Sequence, residues 1–243
     1  MTDLALLRRQ FAPSGALRAA LNHGNRVLVG RDDAGTAIGI SVDLARALAA
    51  HLDLPLELVD YNRAVDVSNS ATSDAWDVCF LAVDPDRAAT IDFTEPYVAI
   101  EGCYLASAGC SATDAAELVA SGAPVGTVTG SAYTLTLVRQ PGAEALVHFP
   151  DIFAALEALD TGRVAAIAGI GTVMEAEAAR RPGARTLAPP FMQIRQAMAI
   201  VKGRPEAAAE LRRFIAERAR SGAVGDILER HGVSRACAVL PVG

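Results

Sequence analysis

The sequence YVAIEGCYLA, at residues 97–106, is an apolar, strand-like stretch that separates two similar patterns in the chain. On each side of it, short apolar runs bounded by Gly, Asp or Pro alternate with longer segments of 3.6-residue period. This alternation is typical of an α/β protein with mainly parallel sheets flanked by helices. The stretch therefore predicts a hinge-like crossover between two α/β lobes and not a loose linker.

The pattern before this crossover predicts strands at residues 16–22, 56–61 and 77–83, with a helix from about Ser41 to Leu52. Asp84-Pro85 is expected to open a helical turn, because Asp is a good N-cap and Pro fits the first helical position. These elements form the first α/β unit of the prediction.

A second unit begins at Gly109 and is complete by Pro182. Its predicted helices lie at residues 114–120, 131–138, 152–159 and 172–180, and its predicted strands at 125–129, 146–149 and 164–168. The remaining strand at 196–201 and the helices at 205–220 and 224–230 still need a sheet on which to pack. The chain is therefore expected to return to the first lobe, which gives lobe 1 at 1–105 plus 192–243, lobe 2 at 106–191, and two crossovers.

Composition and charge exclude several classes of function. The 243 residues are 51% hydrophobic and 21% charged, as in an ordinary globular protein. The net charge of −6 and the lack of a basic run argue against nucleic acid. No apolar stretch approaches the roughly 18 residues of a membrane span. Cysteines and histidines show no ligand spacing, so we predict no metal. We also expect no cofactor and a monomer.

Residues 1–11 predict a short amphipathic helix, capped by Thr2, and not a secretory signal. If Met1 is the native start, we expect a cytoplasmic protein; if a signal was removed, we expect a periplasmic one. A bridge between Cys103 and Cys110 would form only in an exported chain.

An ordered series of motifs resembles the family 3 extracellular solute-binding proteins, which serve ABC transporters for polar amino acids. The motifs are Gly35-x-x-x-Gly39-x-x-x-Asp43, Pro85-Asp86-Arg87, Asp92-Phe93-Thr94-Glu95-Pro96-Tyr97, Gly130-Ser131 and Gly162-Arg163-Val164. The resemblance covers nearly the whole chain. It implies a two-lobed, type 2 periplasmic-binding-protein fold that closes on a small molecule, with no catalytic residues of its own and an ABC permease as partner if the chain is exported.

The resemblance assigns Arg87 to the carboxylate of the ligand, and a guanidinium suits that role because it offers a bidentate fork. The alternative is that Arg87 pairs only with Asp84 or Asp86. In the second lobe the resemblance assigns carboxylate binding to the turn at Gly130 and Ser131, which Thr129 precedes. The alternative there is a plain N-cap.

Two positions depart from the pattern of the family. Gly169 stands where members place an aspartate for the amino group of the ligand, and a buried ammonium without a counter-charge is costly. Glu101 is the expected replacement, and its alternative is a solvated glutamate. The first loop carries Asn22 and Asn25, which suit a neutral or anionic polar ligand but are also typical of an Asx turn.

The sequence thus predicts a solute-binding protein for an amino acid or related organic anion, linked to ABC-type transport or to cytoplasmic metabolite sensing. The alternative is an enzyme, because cyclohexadienyl dehydratases resemble this family and use the same cleft. Glu101 and Asp84 are then the carboxylates available for proton transfer.

Overall fold

The computed structural model describes residues 4–241, which divide into two compact units. The first unit holds the described residues up to Ala99 and from Arg195 onward, and the second holds Ile100–Ile194. The predicted lobe boundaries, after residues 105 and 191, both fall inside the second unit. Thr2, the predicted cap of the first helix, lies outside the described residues.

The helices of the described chain are α1 (Leu4–Phe11), α2 (Ile40–Leu52), α3 (Ala64–Asn69), α4 (Ala115–Ser121), α5 (Ala132–Leu137), α6 (Ile152–Asp160), α7 (Gly171–Ala179), α8 (Pro205–Arg220) and α9 (Ala223–Arg230). The strands are β1 (Leu17–Asn22), β2 (Gly30–Arg31), β3 (Ala37–Ile38), β4 (Leu56–Tyr61), β5 (Val78–Ala82), β6 (Ile91–Phe93), β7 (Val98–Ala106), β8 (Val125–Val128), β9 (Leu146–Phe149), β10 (Ala166–Ile170) and β11 (Arg185–Val201). Short 3-10 turns cover Arg87–Ala89, Ala143–Ala145 and Arg235–Cys237.

The sheet of the first unit has the strand order β4-β1-β5-β11, with β6 also paired to β11. β1 is parallel to both β4 and β5, whereas β11 is antiparallel to β5 and β6. Because β1, β4 and β5 are parallel, their carboxyl ends meet at one edge of this sheet. Helix α2 packs its apolar side into the core with Leu44 and Leu48, both fully buried.

The sheet of the second unit has the strand order β7-β10-β8-β9. β10, β8 and β9 are parallel, and β7 runs antiparallel to β10. Helices α6 and α7 contribute Leu156 and Met174 to its core. Each unit is therefore a mainly parallel sheet flanked by helices, and the predicted fold class is confirmed.

A buried ion-pair network fixes the start of β5. Asp77 is fully buried, and its Oδ2 accepts hydrogen bonds from the backbone N–H and the Nε of Arg18, each at 3.0 Å. Arg204, just before α8, donates from Nη1 to Asp77 Oδ1 at 2.7 Å. Removing one partner from such a network leaves an uncompensated charge, so the network holds β1, β5 and α8 in a fixed relation.

The turn after β5 opens at Asp84 as predicted. Asp84 Oδ1 accepts the N–H of Asp86 at 2.9 Å, its carbonyl oxygen accepts the N–H of Ala88 at 2.9 Å, and a 3-10 turn follows at Arg87–Ala89. The strand predicted at 164–168 begins two residues later in the structure, as β10 (Ala166–Ile170). The N–H of Val164 is bonded to Ala158 O near the end of α6, so Val164 does not take part in the sheet. Pairing with β7 then begins at Ala166.

Candidate ligand-binding site

The carboxyl ends of β1 and β5 bring several predicted site residues to one edge of the first unit. The parallel register pairs Ala20 with Cys79, so Asn22 lies beside the end of β5 two residues further along. On the other side of β5, Gln196 pairs with Ala82 in antiparallel register. Asn22 and Gln196 therefore flank the strand end from which the Asp84–Arg87 segment leaves.

Arg87 and Asp84 are a buried pair of opposite charge at this edge. Each residue is only 4% exposed. Arg87 donates from Nη1 to the carbonyl oxygen of Ala82 at 3.1 Å, and Asp84 Oδ1 accepts the N–H of Asp86 at 2.9 Å. Burial lowers the pKa of the Arg87 guanidinium, whereas the charge of Asp84 raises it. The structure thus places a carboxylate next to the arginine that the resemblance assigns to the ligand.

Cys79 is a neighbour of Arg87 that sequence reasoning missed. It is fully buried on β5, and burial raises the pKa of its thiol although the positive charge of Arg87 opposes this shift. The thiol is therefore protonated at neutral pH and packs as a small apolar group. All four cysteines are free thiols in the structure.

The first loop adopts the turn structure that was the alternative to ligand binding. Asn22 Oδ1 accepts the N–H of Gly24 at 3.1 Å, and Asn25 Oδ1 accepts the N–H of Val27 at 3.2 Å. Both asparagines thus form Asx-type turns. Their side-chain amide groups keep donor capacity beyond these turns, because each turn uses only the oxygen.

His23, Arg31 and Asp60 form a polar cluster at the carboxyl end of β4. His23 Nε2 lies 2.8 Å from Asp60 Oδ1, and Arg31 Nη2 donates to Asp60 Oδ2 at 2.8 Å. Burial raises the pKa of Asp60, but the hydrogen bonds from His23 and Arg31 outweigh burial and hold its pKa below the usual range. Arg31 thereby ties the β2-β3 hairpin to β4.

In the second unit, Thr129, Gly130 and Ser131 form the turn between β8 and α5. Thr129 is exposed, and Gly130 has a φ of 74°, a left-handed conformation that favours glycine. Ser131 is the N-cap of α5, and its Oγ accepts the N–H of Thr134 at 3.2 Å. The capping role is therefore present at this turn.

A chain of hydroxyl groups supports the Ser131 cap, and no sequence motif indicates its members. Thr134 Oγ1 lies 2.8 Å from Ser131 Oγ and 2.5 Å from Thr127 Oγ1, and it donates to Val128 O at 2.6 Å. Thr127 and Thr134 are buried. Hydroxyl residues seven positions apart on a strand and a helix give no sequence signal, because only the fold brings them together.

The side chain of Met174 lies in the space beside Gly169. A Cβ atom on Gly169 would lie 2.6 Å from Cε and 2.8 Å from Sδ of Met174, which is fully buried. On the neighbouring strand Gly169 pairs with Cys103. Met174 thus fills the position at which the resemblance would place an acidic side chain.

Glu101 lies near the same end of β10 but is exposed. A Cβ on Gly171 would meet the Cβ of Glu101 at 3.5 Å and the Sγ of Cys103 at 3.2 Å. Burial, together with the charges of Glu101 and Glu175, raises the pKa of Cys103 to about 11. Glu101 and Glu175 are therefore two carboxylates near one buried thiol.

Two negative findings apply to residues 4–241. No group of three or more His, Cys, Asp or Glu side chains in this range is arranged to hold a metal ion. No helix in the same range combines the length and the apolar character that crossing a membrane requires.

The model of the bacterial extracellular solute-binding proteins, family 3, matches residues 17–234. The chain belongs to this family. Arg87, the Gly130-Ser131 turn, Gly169 and Glu101 all lie inside the matched range. No curated protein is similar enough in sequence to count as a match.

Solved structures show the same fold for this family 3 protein. A mutant of ArgBP from T. maritima is 19% identical, with a TM-score of 0.78 over 93% of this chain and 99% of that one. An ancestral arginine-binding protein bound to glutamine is 22% identical, with a TM-score of 0.74 over 89% of this chain and 97% of that one. An ancestral amino acid-binding protein, described as a precursor of cyclohexadienyl dehydratase, is 18% identical with a TM-score of 0.76 over 93% and 98% of the two chains. At these identities the similarity establishes the two-lobed periplasmic-binding-protein fold.

Proposed function

We propose that this solute-binding protein closes its two lobes on a small, carboxylate-bearing molecule of the amino-acid class. The observation that carries the proposal is Arg87, a guanidinium only 4% exposed at the carboxyl edge of a parallel sheet. Ligands bind at such edges in open α/β sheets, and a guanidinium recognises a carboxylate through two parallel hydrogen bonds. Binding of one ligand by both lobes would shift the protein toward its closed form.

Two further observations support this ligand class. The turn between β8 and α5 carries the hydroxyl groups of Thr129 and Ser131 at the carboxyl end of β8, the corresponding edge of the second unit. The similar structures include an arginine-binding protein and an amino acid-binding protein. Both observations favour a polar ligand with a carboxylate.

The experiment compares thermal unfolding and calorimetric binding for the wild-type chain, Arg87→Ala and Arg63→Ala. Arg63 is a matched control because it is half exposed in the same unit and pairs with Asp66. The probes are L-arginine, L-glutamine and the remaining common amino acids. We expect at least one probe to bind the wild type and Arg63→Ala, and Arg87→Ala to bind it about 100-fold more weakly, the scale of a lost charge-assisted hydrogen bond pair.

Circular dichroism of Arg87→Ala shows whether the variant is folded. Wild-type protein that binds none of these probes would contradict the amino-acid class. Equal weakening in Arg87→Ala and Arg63→Ala would contradict the role of Arg87.

The proposed role has two settings. In an exported chain the protein delivers its ligand to an ABC permease, and in a cytoplasmic one it senses the metabolite. Fractionation of cells that express the native gene, followed by immunoblotting, separates these settings. We propose a monomer in both, which light scattering during gel filtration checks.

A dehydratase activity is the second candidate, favoured by the similarity to the precursor of cyclohexadienyl dehydratase. Asp84 and Glu101 are the carboxylates that this chain offers for proton transfer. Incubation with prephenate and arogenate, followed by ultraviolet absorbance of the aromatic product, tests it. If the wild type forms the aromatic product faster than the Asp84→Asn/Glu101→Gln double variant does, the protein is an enzyme. If the wild type forms no product, only the binding function remains.

A further inference from the structure

We propose that helix α1 is a clamp that joins the two chain segments of the first unit and that the mature protein retains. These segments are the described residues up to Ala99 and those from Arg195 onward. The range that matches the family begins at residue 17, so α1 (Leu4–Phe11) precedes it. The clamp acts on the fold of the first unit, so this inference is independent of the proposed function.

The apolar side of α1 anchors it to the first unit. Phe11 is fully buried and Leu7 is only 5% exposed, and both belong to the core that α2 and α8 share. α1 packs against α8 and also contacts α2. A helix of 8 residues is too short to be stable alone in water, so this burial is what holds α1 in its helical form.

Gln10 gives the N-terminus of α8 a cap from a distant part of the chain. The N-cap residue of α8 is Arg204, whose guanidinium carries only donors and cannot accept an N–H of the first turn. Gln10 Oε1 accepts the N–H of Ala207 in that turn at 3.0 Å, and Gln10 Nε2 donates to Glu206. The side chain of Gln10 therefore takes the role that Ser or Asp fills in an ordinary N-cap.

The backbone of Gln10 is tied to the buried ion-pair network at the start of β5. Arg204 Nη1 donates to the carbonyl oxygen of Gln10 at 3.0 Å and to Asp77 Oδ1 at 2.7 Å. Gln10 belongs to the first chain segment and Arg204 to the second, so one guanidinium links α1, β5 and the start of α8. These contacts exist only when the two segments are folded together.

Arg8 binds the C-terminus of α2. Its Nε donates to the carbonyl oxygen of Leu52, the last residue of α2, at 2.9 Å, and its Nη2 donates to Asp53 Oδ2 at 2.6 Å. A positive charge is favourable at this end of a helix, because the last carbonyl groups carry partial negative charge. α1 thus completes one helix end in each chain segment of the first unit.

Loss of α1 would expose the apolar surface on which Phe11 and Leu7 pack, and it would remove the acceptor of the Ala207 N–H. An unpaired N–H and newly exposed apolar surface both destabilise a folded unit. We therefore expect the mature protein to keep residues 4–11, whatever processing takes place before them.

The stability experiment uses the full chain and urea denaturation, followed by the fluorescence of Trp76, which is buried in the first unit. The variants are Gln10→Ala and Arg8→Ala, with Arg9→Ala as the matched control, because Arg9 is exposed on the same helix. Ala is the strongest helix former, so none of the three weakens α1 itself. We expect the equilibrium constant for unfolding to rise about 5-fold in Gln10→Ala and about 3-fold in Arg8→Ala, but less than about 2-fold in Arg9→Ala.

Amide hydrogen exchange measured by NMR separates capping from a general loss of stability. In Gln10→Ala, exchange of the Ala207 N–H should accelerate more than exchange of the amides of α9, because only the Ala207 N–H loses its acceptor. An equal acceleration across the first unit, or an unchanged Ala207 amide, would show that Gln10 does not cap α8.

Mass spectrometry of the protein purified from cells that express the native gene determines where the mature chain begins. A mature N-terminus at or before Leu4 supports the clamp. A mature chain that begins inside or after α1 would overturn the proposal, as would equal stability of Gln10→Ala, Arg8→Ala and Arg9→Ala. The mass measurement needs no variant, and none of these measurements depends on whether an amino acid binds.

Discussion

The side chain of Met174 limits the size of the residue that fits at position 169, near the end of β10. A methyl group at position 169 would come within 2.8 Å of two atoms of Met174, which is fully buried in the core of the second unit. The end of a methionine can move, so we expect Gly169→Ala to lower the free energy of unfolding by a moderate amount, about 1–2 kcal/mol. Urea denaturation measures this loss.

The control and the test of the cause use three further variants. Gly109→Ala is the control, because a Cβ on Gly109 would meet nothing within 4 Å. Met174→Ala should itself cost about 2–4 kcal/mol through the cavity it leaves. In the Gly169→Ala/Met174→Ala double variant the new methyl group enters that cavity. The free energy of unfolding should therefore fall by less than the sum of the two single-variant losses. Strictly additive losses would show that Met174 is not the obstacle.

Residue identity predicted which side chains share one edge of the first sheet better than it predicted their contacts. Asn22, Asp84 and Arg87 were predicted from strand ends and motifs, and the fold brings them to one edge of a sheet. The burial of the Asp84–Arg87 pair and the neighbouring thiol of Cys79 could not be predicted. Such contacts depend on side-chain packing across strands, which no local pattern encodes.

At the scale of elements, strong periodicity gave boundaries that the structure confirms. The strand at 56–61 and the helix at 205–220 have the predicted bounds, because each has a clear period and is bounded by Pro, Asn or Gly residues. The β2-β3 hairpin was missed, since strands of two residues carry no period. The first half of β11 was missed because Pro189 and Pro190 interrupt its pattern.

The caps of two short helices in the second unit allow a matched prediction. Ser131 caps α5 and Asp114 caps α4, each by accepting one backbone N–H three residues on. Substitution of either by Ala should lower the free energy of unfolding by about 1 kcal/mol. Because the proposed site includes Ser131, only Ser131→Ala should also weaken binding of the best amino-acid probe, by about 5- to 10-fold for one hydrogen bond.

Urea denaturation and calorimetry of the two variants separate these effects. If Asp114→Ala weakens binding as much as Ser131→Ala does, the loss reflects general loosening of the second unit. If neither variant changes affinity, Ser131 is a structural cap and takes no part in binding.

At the scale of the whole molecule, the proposed function links the stability of both units to one ligand. Trp76 is the only tryptophan of the chain and lies buried in the first unit, where its Nε1 donates to Ser70 Oγ at 2.9 Å. Its fluorescence therefore follows unfolding of the first unit, whereas far-ultraviolet circular dichroism follows the helices of both units. A ligand held by both lobes must be released before either can unfold.

At 100 times the dissociation constant of the best amino-acid probe, we expect both transitions to shift together, by about 2.7 kcal/mol. Arg87→Ala should show no such shift at the same probe concentration. If the fluorescence transition moves and the remaining circular dichroism transition stays in place, the probe is held by the first unit alone, and closure of two lobes on the ligand is wrong.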